Sequence, residues 1–143
     1  MESTSNNSQF PQAAQAGHET GALRFLIVED EALIAMYVED VVSKSGYSVV
    51  GVVHTLDEAL DFIESNAIDA AVLDINLKGK LVFPLADALM TRGVPFVFAS
   101  SYGERSVPAR YRVGPIVQKP FAASDLRRAL AATERLRQRT QAI

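Results

Sequence analysis

The chain has 143 residues, 48% of them hydrophobic and 22% charged, with a formal net charge of −3. It is long enough for one domain with a packed core and has no bulk attraction toward nucleic acid or an anionic membrane surface. Cysteine is absent, which excludes disulfides, thiolate metal sites and cysteine nucleophiles. No apolar run approaches the ~20 residues that span a bilayer, and the N-terminus lacks the basic start and apolar run of a signal peptide, so a cytoplasmic protein is expected.

Residues 1–21 are rich in Ser, Asn, Gln and Ala and carry little that could form a core. A segment of this kind does not offset its ordering entropy, and it is expected to be a disordered tail. A domain over residues 22–138 and a short C-terminal tail over 139–143 complete the expected organisation.

Leu23–Val28 is an apolar run that ends in Glu29, Asp30 and Glu31, and it reads as a first strand. Leu33, Met36, Tyr37 and Val41 then recur at helical spacing and stop near Gly46, a residue suited to a helix C-terminus. Ser48–Val53 reads as a second strand and Leu56–Ile63 as a second amphipathic helix. Ala70–Leu73 is a short apolar run of the kind buried on both faces of a parallel sheet, and it delivers Asp74 at its C-terminal end.

A loop over Asn76–Lys80 follows, then a short helix over Phe83–Met90 with Pro84 in its first turn. Val94–Ala99 is a fourth strand, ending in Ser100, Ser101 and Tyr102. Gly103–Gly114 has a poor helical pattern, so any helix there is expected to be short or irregular. Ile116–Gln118 is a minimal fifth strand, and a final helix starts at Ser124 or Asp125 and runs to about Arg137, with Leu126, Leu130 and Leu136 at apolar positions.

Five strands alternating with helices at these spacings suit right-handed crossovers. They point to an α/β doubly wound parallel sheet with the flavodoxin-like order 2-1-3-4-5 and an irregular fourth helix. Ligands of such sheets bind outside the carboxyl ends of the strands. That edge brings together Glu29 and Asp30, Asp74, Ser100 and Lys119. Clustered carboxylates repel one another, and a hard divalent cation such as Mg²⁺ is the usual remedy. A lysine and a hydroxyl around a nucleophilic carboxylate are the groups that aspartyl-phosphate formation requires.

The residues LIVEDE, VLDINL, PFVFAS and QKPF, in that order, resemble the four motifs of the receiver domain of two-component response regulators, over roughly Leu23 to Leu136. The resemblance implies a CheY-like fold and a phospho-acceptor signalling domain rather than an enzyme. In it Asp74 accepts the phosphoryl group, Asp30 ligates Mg²⁺ directly, Glu29 acts through water, and Asn76 lends its backbone carbonyl. Ser100 follows the phosphoryl group, Lys119 bonds its oxygen, and Pro120 is expected to be cis. The run Phe98-Ala99-Ser100-Ser101-Tyr102 is similar to the Phe-Ala-Thr-Gly-Tyr-like motif of a subgroup of stand-alone receivers. That implies a histidine kinase of the HWE or a related class as phosphodonor, and output through a partner protein or service as a phosphate sink.

One position departs from the pattern. Many receivers carry a switch aromatic three residues before the lysine, where this chain has Ile116, and Tyr102 is the candidate substitute as reporter and shield of the phosphoryl group. Other readings stand beside this one. The chain could be a Mg²⁺-dependent phosphohydrolase, although Asn76 stands where a general-acid Asp would be expected. It could be a phosphorylation-independent interaction module, or the terminal receiver of a hybrid kinase. His54 reads as a loop residue. The arginines at 105, 110 and 112, and those at 127, 128, 135, 137 and 139, read as solvated, with no nucleic-acid role.

Overall fold

A computed structural model describes residues 21–142 of the chain. Apart from Gly21, the expected N-terminal tail lies outside the described residues.

Five parallel strands form one sheet: β1 (Arg24–Val28), β2 (Ser48–Val53), β3 (Ala70–Asp74), β6 (Phe96–Ser100) and β7 (Ile116–Gln118). Their spatial order is β2-β1-β3-β6-β7, the expected 2-1-3-4-5 arrangement. The helices are α1 (Ala32–Lys44), α2 (Leu56–Ser65), α3 (Phe83–Thr91) and α4 (Ala123–Ala142). β3 lies at the centre with every residue buried, because helices cover both faces and its alternating side chains have no solvent side. Leu26, Val28, Ala71, Leu73 and Phe98 pack with α2 and α3 on one face. Phe25, Ile27, Ala70 and Val72 pack with Val38, Val41 and Val42 of α1 and Leu126 and Leu130 of α4 on the other.

The residues whose spacing marks α1 as a helix, Leu33, Met36, Tyr37 and Val41, are mostly not the ones that face the sheet. Leu33 is 80% and Met36 63% exposed, and Tyr37 is exposed too, while Ala35, Val38, Val41 and Val42 face the sheet. The helix carries two apolar stripes, and the small and β-branched one is the stripe that closes against the strands. Of the four residues that carry the helical spacing, Val41 alone is in the core.

Asn76–Lys80 is more ordered than a loop. Asn76–Leu77 (β4) and Lys80–Leu81 (β5) pair antiparallel. Lys78 at φ 53° and Gly79 at φ 91° supply the two left-handed residues that a tight hairpin turn demands. Between β6 and β7 the chain forms two 3₁₀ turns, Gly103–Ser106 and Ala109–Tyr111. The expectation of an irregular fourth helix is met there.

At the other end, α4 continues through Ala142, so residues 139–142 are helical rather than a tail. The reason lies in Arg137, which is not a solvated arginine. Its guanidinium donates to the Gly93 carbonyl at 3.2 Å and to Asp69 Oδ1 at 3.4 Å, pinning the last turns to the sheet's amino edge.

Asp69 organises that edge. Its carboxylate accepts from the Arg24 backbone N–H at 2.8 Å and from Arg24 Nε and Nη2 at 2.9 and 3.0 Å. Burial would raise the Asp69 pKa, but the Arg24 hydrogen bonds and charge, helped by Arg137, hold it below the usual carboxylate range. A depressed folded-state pKa stabilises above the unfolded value, and that stabilisation is lost as pH falls. Asp69→Asn is therefore expected to lower the unfolding free energy by about 2–3 kcal/mol at pH 7. In urea titrations the gap between variant and parent should close as pH drops below about 4.

Candidate functional site

Strand register assembles the site. Val28 of β1 pairs with Leu73 of β3, so Glu29 and Asp30 emerge level with Asp74. Asp74 pairs with Ala99 of β6, which puts Ser100 one step beyond it. Ser100 pairs with Gln118 of β7, and Lys119 follows, its backbone N–H donating to the Ser100 carbonyl at 2.8 Å. Five side chains from four strands thus meet at one carboxyl edge. Lys119 precedes a cis proline, as expected.

Glu29, Asp30 and Asp74 each offer a carboxylate oxygen, all within 4.8 Å of one another. Glu29 and Asp74 are buried. Lys119 Nζ lies 3.1 Å from Glu29 Oε1 and 3.3 Å from Asp74 Oδ1, so one ammonium serves two acids. Asp74 is pushed up to about 7, first by burial and then by the Glu29 charge, with Lys119 pulling the other way. Burial also raises Glu29, against the Glu31 backbone N–H that its Oε2 accepts at 3.1 Å and against Lys119. Asp30 sits at the rim. Burial works to raise it, but hydrogen bonds with Asp74 and Glu29 and the Lys78 backbone N–H at 3.1 Å leave it below its ordinary value. Lys119 is raised: desolvation opposes its charge, but Glu29 and Asp74 outweigh it.

Three acids against one lysine leave an excess of negative charge in a partly dry pocket. The carboxylate oxygens suit a hard divalent cation, for which oxygen ligands and retained waters are the rule. Asn76 begins the β4–β5 hairpin, and its side-chain Oδ1 accepts the Gly79 N–H at 2.7 Å, which ties that side chain into the turn.

Ser100 is buried, and its Oγ lies 2.6 Å from Ser106 Oγ and accepts the Tyr102 N–H at 3.0 Å. The Tyr102 ring itself is 78% exposed, so its tie to Ser100 runs through the main chain. Ile116 is half-buried opposite Phe98. His54 is exposed, as expected for a loop residue, with Nδ1 2.9 Å from the Glu29 carbonyl.

The sequence alone did not single out Ser106 or the Lys78 amide. Ser106 reaches Ser100 only because the 3₁₀ turn folds back, and a backbone donor such as that of Lys78 leaves no side-chain signature.

Among known families, the model of the response regulator receiver domain matches residues 25–131. The chain belongs to that family. Receiver domains are signalling modules. This receiver domain is 30% identical over 107 residues to the transcriptional regulatory protein PdtaR of Mycobacterium tuberculosis, covering 72% of this chain and 52% of that one. It is 33% identical over 119 residues to the phyllosphere-induced regulator PhyR of Methylorubrum extorquens, covering 78% and 45%. The chain thus spans about half the length of these curated relatives. Among solved structures, the solution structure of SdrG from Sphingomonas melonis Fr1 superposes with a TM-score of 0.70 at 45% identity, covering 79% of this chain and 97% of SdrG.

The receiver's buried acids carry a stability consequence. With Asp74 held near 7 by burial and by Glu29, its ionised form burdens the metal-free protein. Asp74→Asn is expected to raise the unfolding free energy in a metal-chelating buffer at pH 7.5 by on the order of 2 kcal/mol, read by urea denaturation.

Proposed function

We propose that this receiver accepts a phosphoryl group on Asp74 from a histidine kinase and passes the signal by binding a partner protein or by draining phosphate from that kinase. The observation that carries the reading is the Asp74 carboxylate, set at the centre of the carboxyl edge between the Glu29–Asp30 pair and the Lys119 ammonium. In the transfer, an Asp74 carboxylate oxygen attacks phosphorus in line. The O–P bond forms as the N–P bond of a phosphohistidine breaks, and the imidazole departs neutral after taking up a proton. Lys119 balances charge on the transferred oxygens, and Ser100 stands beside them as a hydroxyl donor. Glu29, Asp30, Asp74 and the Asn76 carbonyl would hold Mg²⁺. When bound, the ion neutralises the acids and the incoming phosphoryl charge.

Leu33, Met36 and Tyr37 place an apolar patch on the outer face of α1. It adjoins a groove of ≈ 430 Å³ lined by Ile34, Tyr37, Pro120 and Phe121 that reaches Lys119. An exposed apolar surface beside the acceptor suits the helical face of a phosphohistidine-bearing partner. The Phe98–Tyr102 motif points to the HWE class of kinase, and an ATP-fed kinase places the pair in the cytoplasm.

Beryllofluoride, which mimics an acyl phosphate, tests the acceptor. Added with Mg²⁺, it is expected to give saturable amide shifts around Asp74, Ser100 and Lys119 that are absent in Asp74→Asn. A silent wild type would leave a phosphorylation-independent binding module in its place. For the docking patch, Leu33→Ser with Met36→Ser should lower kcat/KM for transfer from the kinase at least tenfold, since truncating an anchor residue of an interface costs about 2 kcal/mol or more. Phosphorylation by acetyl phosphate should proceed at the parent rate.

A further inference from the structure

The hydroxyl that the proposed chemistry needs is already committed elsewhere. Ser106 Oγ donates to the Gly103 carbonyl at 2.8 Å, and because a carbonyl oxygen only accepts, the single hydroxyl proton of Ser106 is spent there. The 2.6 Å contact between Ser100 Oγ and Ser106 Oγ is therefore bridged by the proton of Ser100. Ser100 Oγ accepts the Tyr102 N–H at 3.0 Å at the same time. Ser100 is 2% exposed, so water cannot readily take over either bond. Its hydroxyl has no proton to offer an oxygen on Asp74 until the bond to Ser106 breaks.

We infer that Ser106 is a positioning residue that latches the Ser100 hydroxyl away from the acceptor and ties its release to the Gly103–Ser106 turn. The inference rests on the phospho-acceptor reading and adds to it the regulation of the same site. When Ser100 turns its proton toward a phosphoryl oxygen, Ser106 loses its donor and the turn loses its fastening to the end of β6.

The other holds on the turn are packing contacts rather than hydrogen bonds to the sheet. Gly103 sits at φ +68°, and a Cβ placed there would lie 2.9 Å from Gln118 Oε1, so the turn rests closely against β7. Beyond it Val107 is buried, and Tyr111 stacks on Phe83 at 4.7 Å. Ser106 thereby gives a route from the acceptor to the Gly103–Tyr111 surface that needs no aromatic residue at position 116.

The test is a beryllofluoride titration with Mg²⁺, followed by amide and side-chain NMR, on wild type, Ser106→Ala and Ser106→Thr. Breaking one neutral hydrogen bond before binding costs the wild type a factor that Ser106→Ala does not bear. The variant is expected to bind beryllofluoride about two- to tenfold more tightly. Its Gly103–Tyr111 amides should also move little on saturation, because the turn is already released. Ser106→Thr keeps the hydroxyl and should restore both the wild-type affinity and the movement of the turn. In the wild type alone, the Ser106 resonances must shift in step with those of Ser100, which tests the latch even if Ser106→Ala folds poorly.

Unchanged or weaker affinity in Ser106→Ala, a turn that still moves in it, or a Ser106 that stays still in the wild type would each overturn the latch while leaving the acceptor reading in place. No response at Asp74 in the wild type would overturn both.

Discussion

Putting three carboxylates together where a parallel sheet ends is costly, and the way this chain meets that cost shapes everything near its carboxyl edge. Glu29 and Asp74 are removed from water, and a single ammonium, that of Lys119, lies within 3.3 Å of both. Neither acid can be relieved by moving outward, because β1 and β3 are clamped between two helical layers. The charge that Lys119 does not neutralise stays in the pocket as a standing demand for a cation. Stability and function pull in opposite directions there, and the destabilising group is the one on which the proposed chemistry depends.

The opposite edge of the sheet shows the same physics with the balance reversed. Asp69 is also buried, but two arginines and a backbone N–H converge on it, so its charge is satisfied and holds the structure together. One acid anchors the amino edge while another, one strand-length away at Asp74, is kept in want of a ligand. The two differ only in the company the tertiary structure supplies.

Between the edges, the segment after β6 is the region with the least regular backbone. It consists of two short 3₁₀ turns, fastened by the Ser100–Ser106 contact, by Val107 and Tyr111 in the core, and by Arg110 and the Tyr111 hydroxyl on Asp87. Short turns with few backbone hydrogen bonds are inexpensive to rearrange. Such a segment is suited to translating a change at one hydroxyl into a change of surface.

Much of this was legible from residue order alone. The five strands, their 2-1-3-4-5 order, the irregular fourth helix and the gathering of Glu29, Asp30, Asp74, Ser100 and Lys119 follow from short apolar runs that end in polar residues, because parallel strands share one carboxyl edge whatever their side chains do. Three things were decided only by the fold. Periodicity at Leu33, Met36, Tyr37 and Val41 marked a helix but not the face it buries, and of the two apolar stripes of α1 the sheet accepted the smaller, β-branched one. Arg137 read as a surface charge until α4 extended far enough to carry it to Asp69 and Gly93. Ser106 carried no signal in the sequence, and a turn at Gly103 folded it onto Ser100. In each case the local pattern allowed two environments, and the choice between them rested on contacts between residues far apart in the chain or folded together by a turn, which hydrophobic period and motif spacing do not encode.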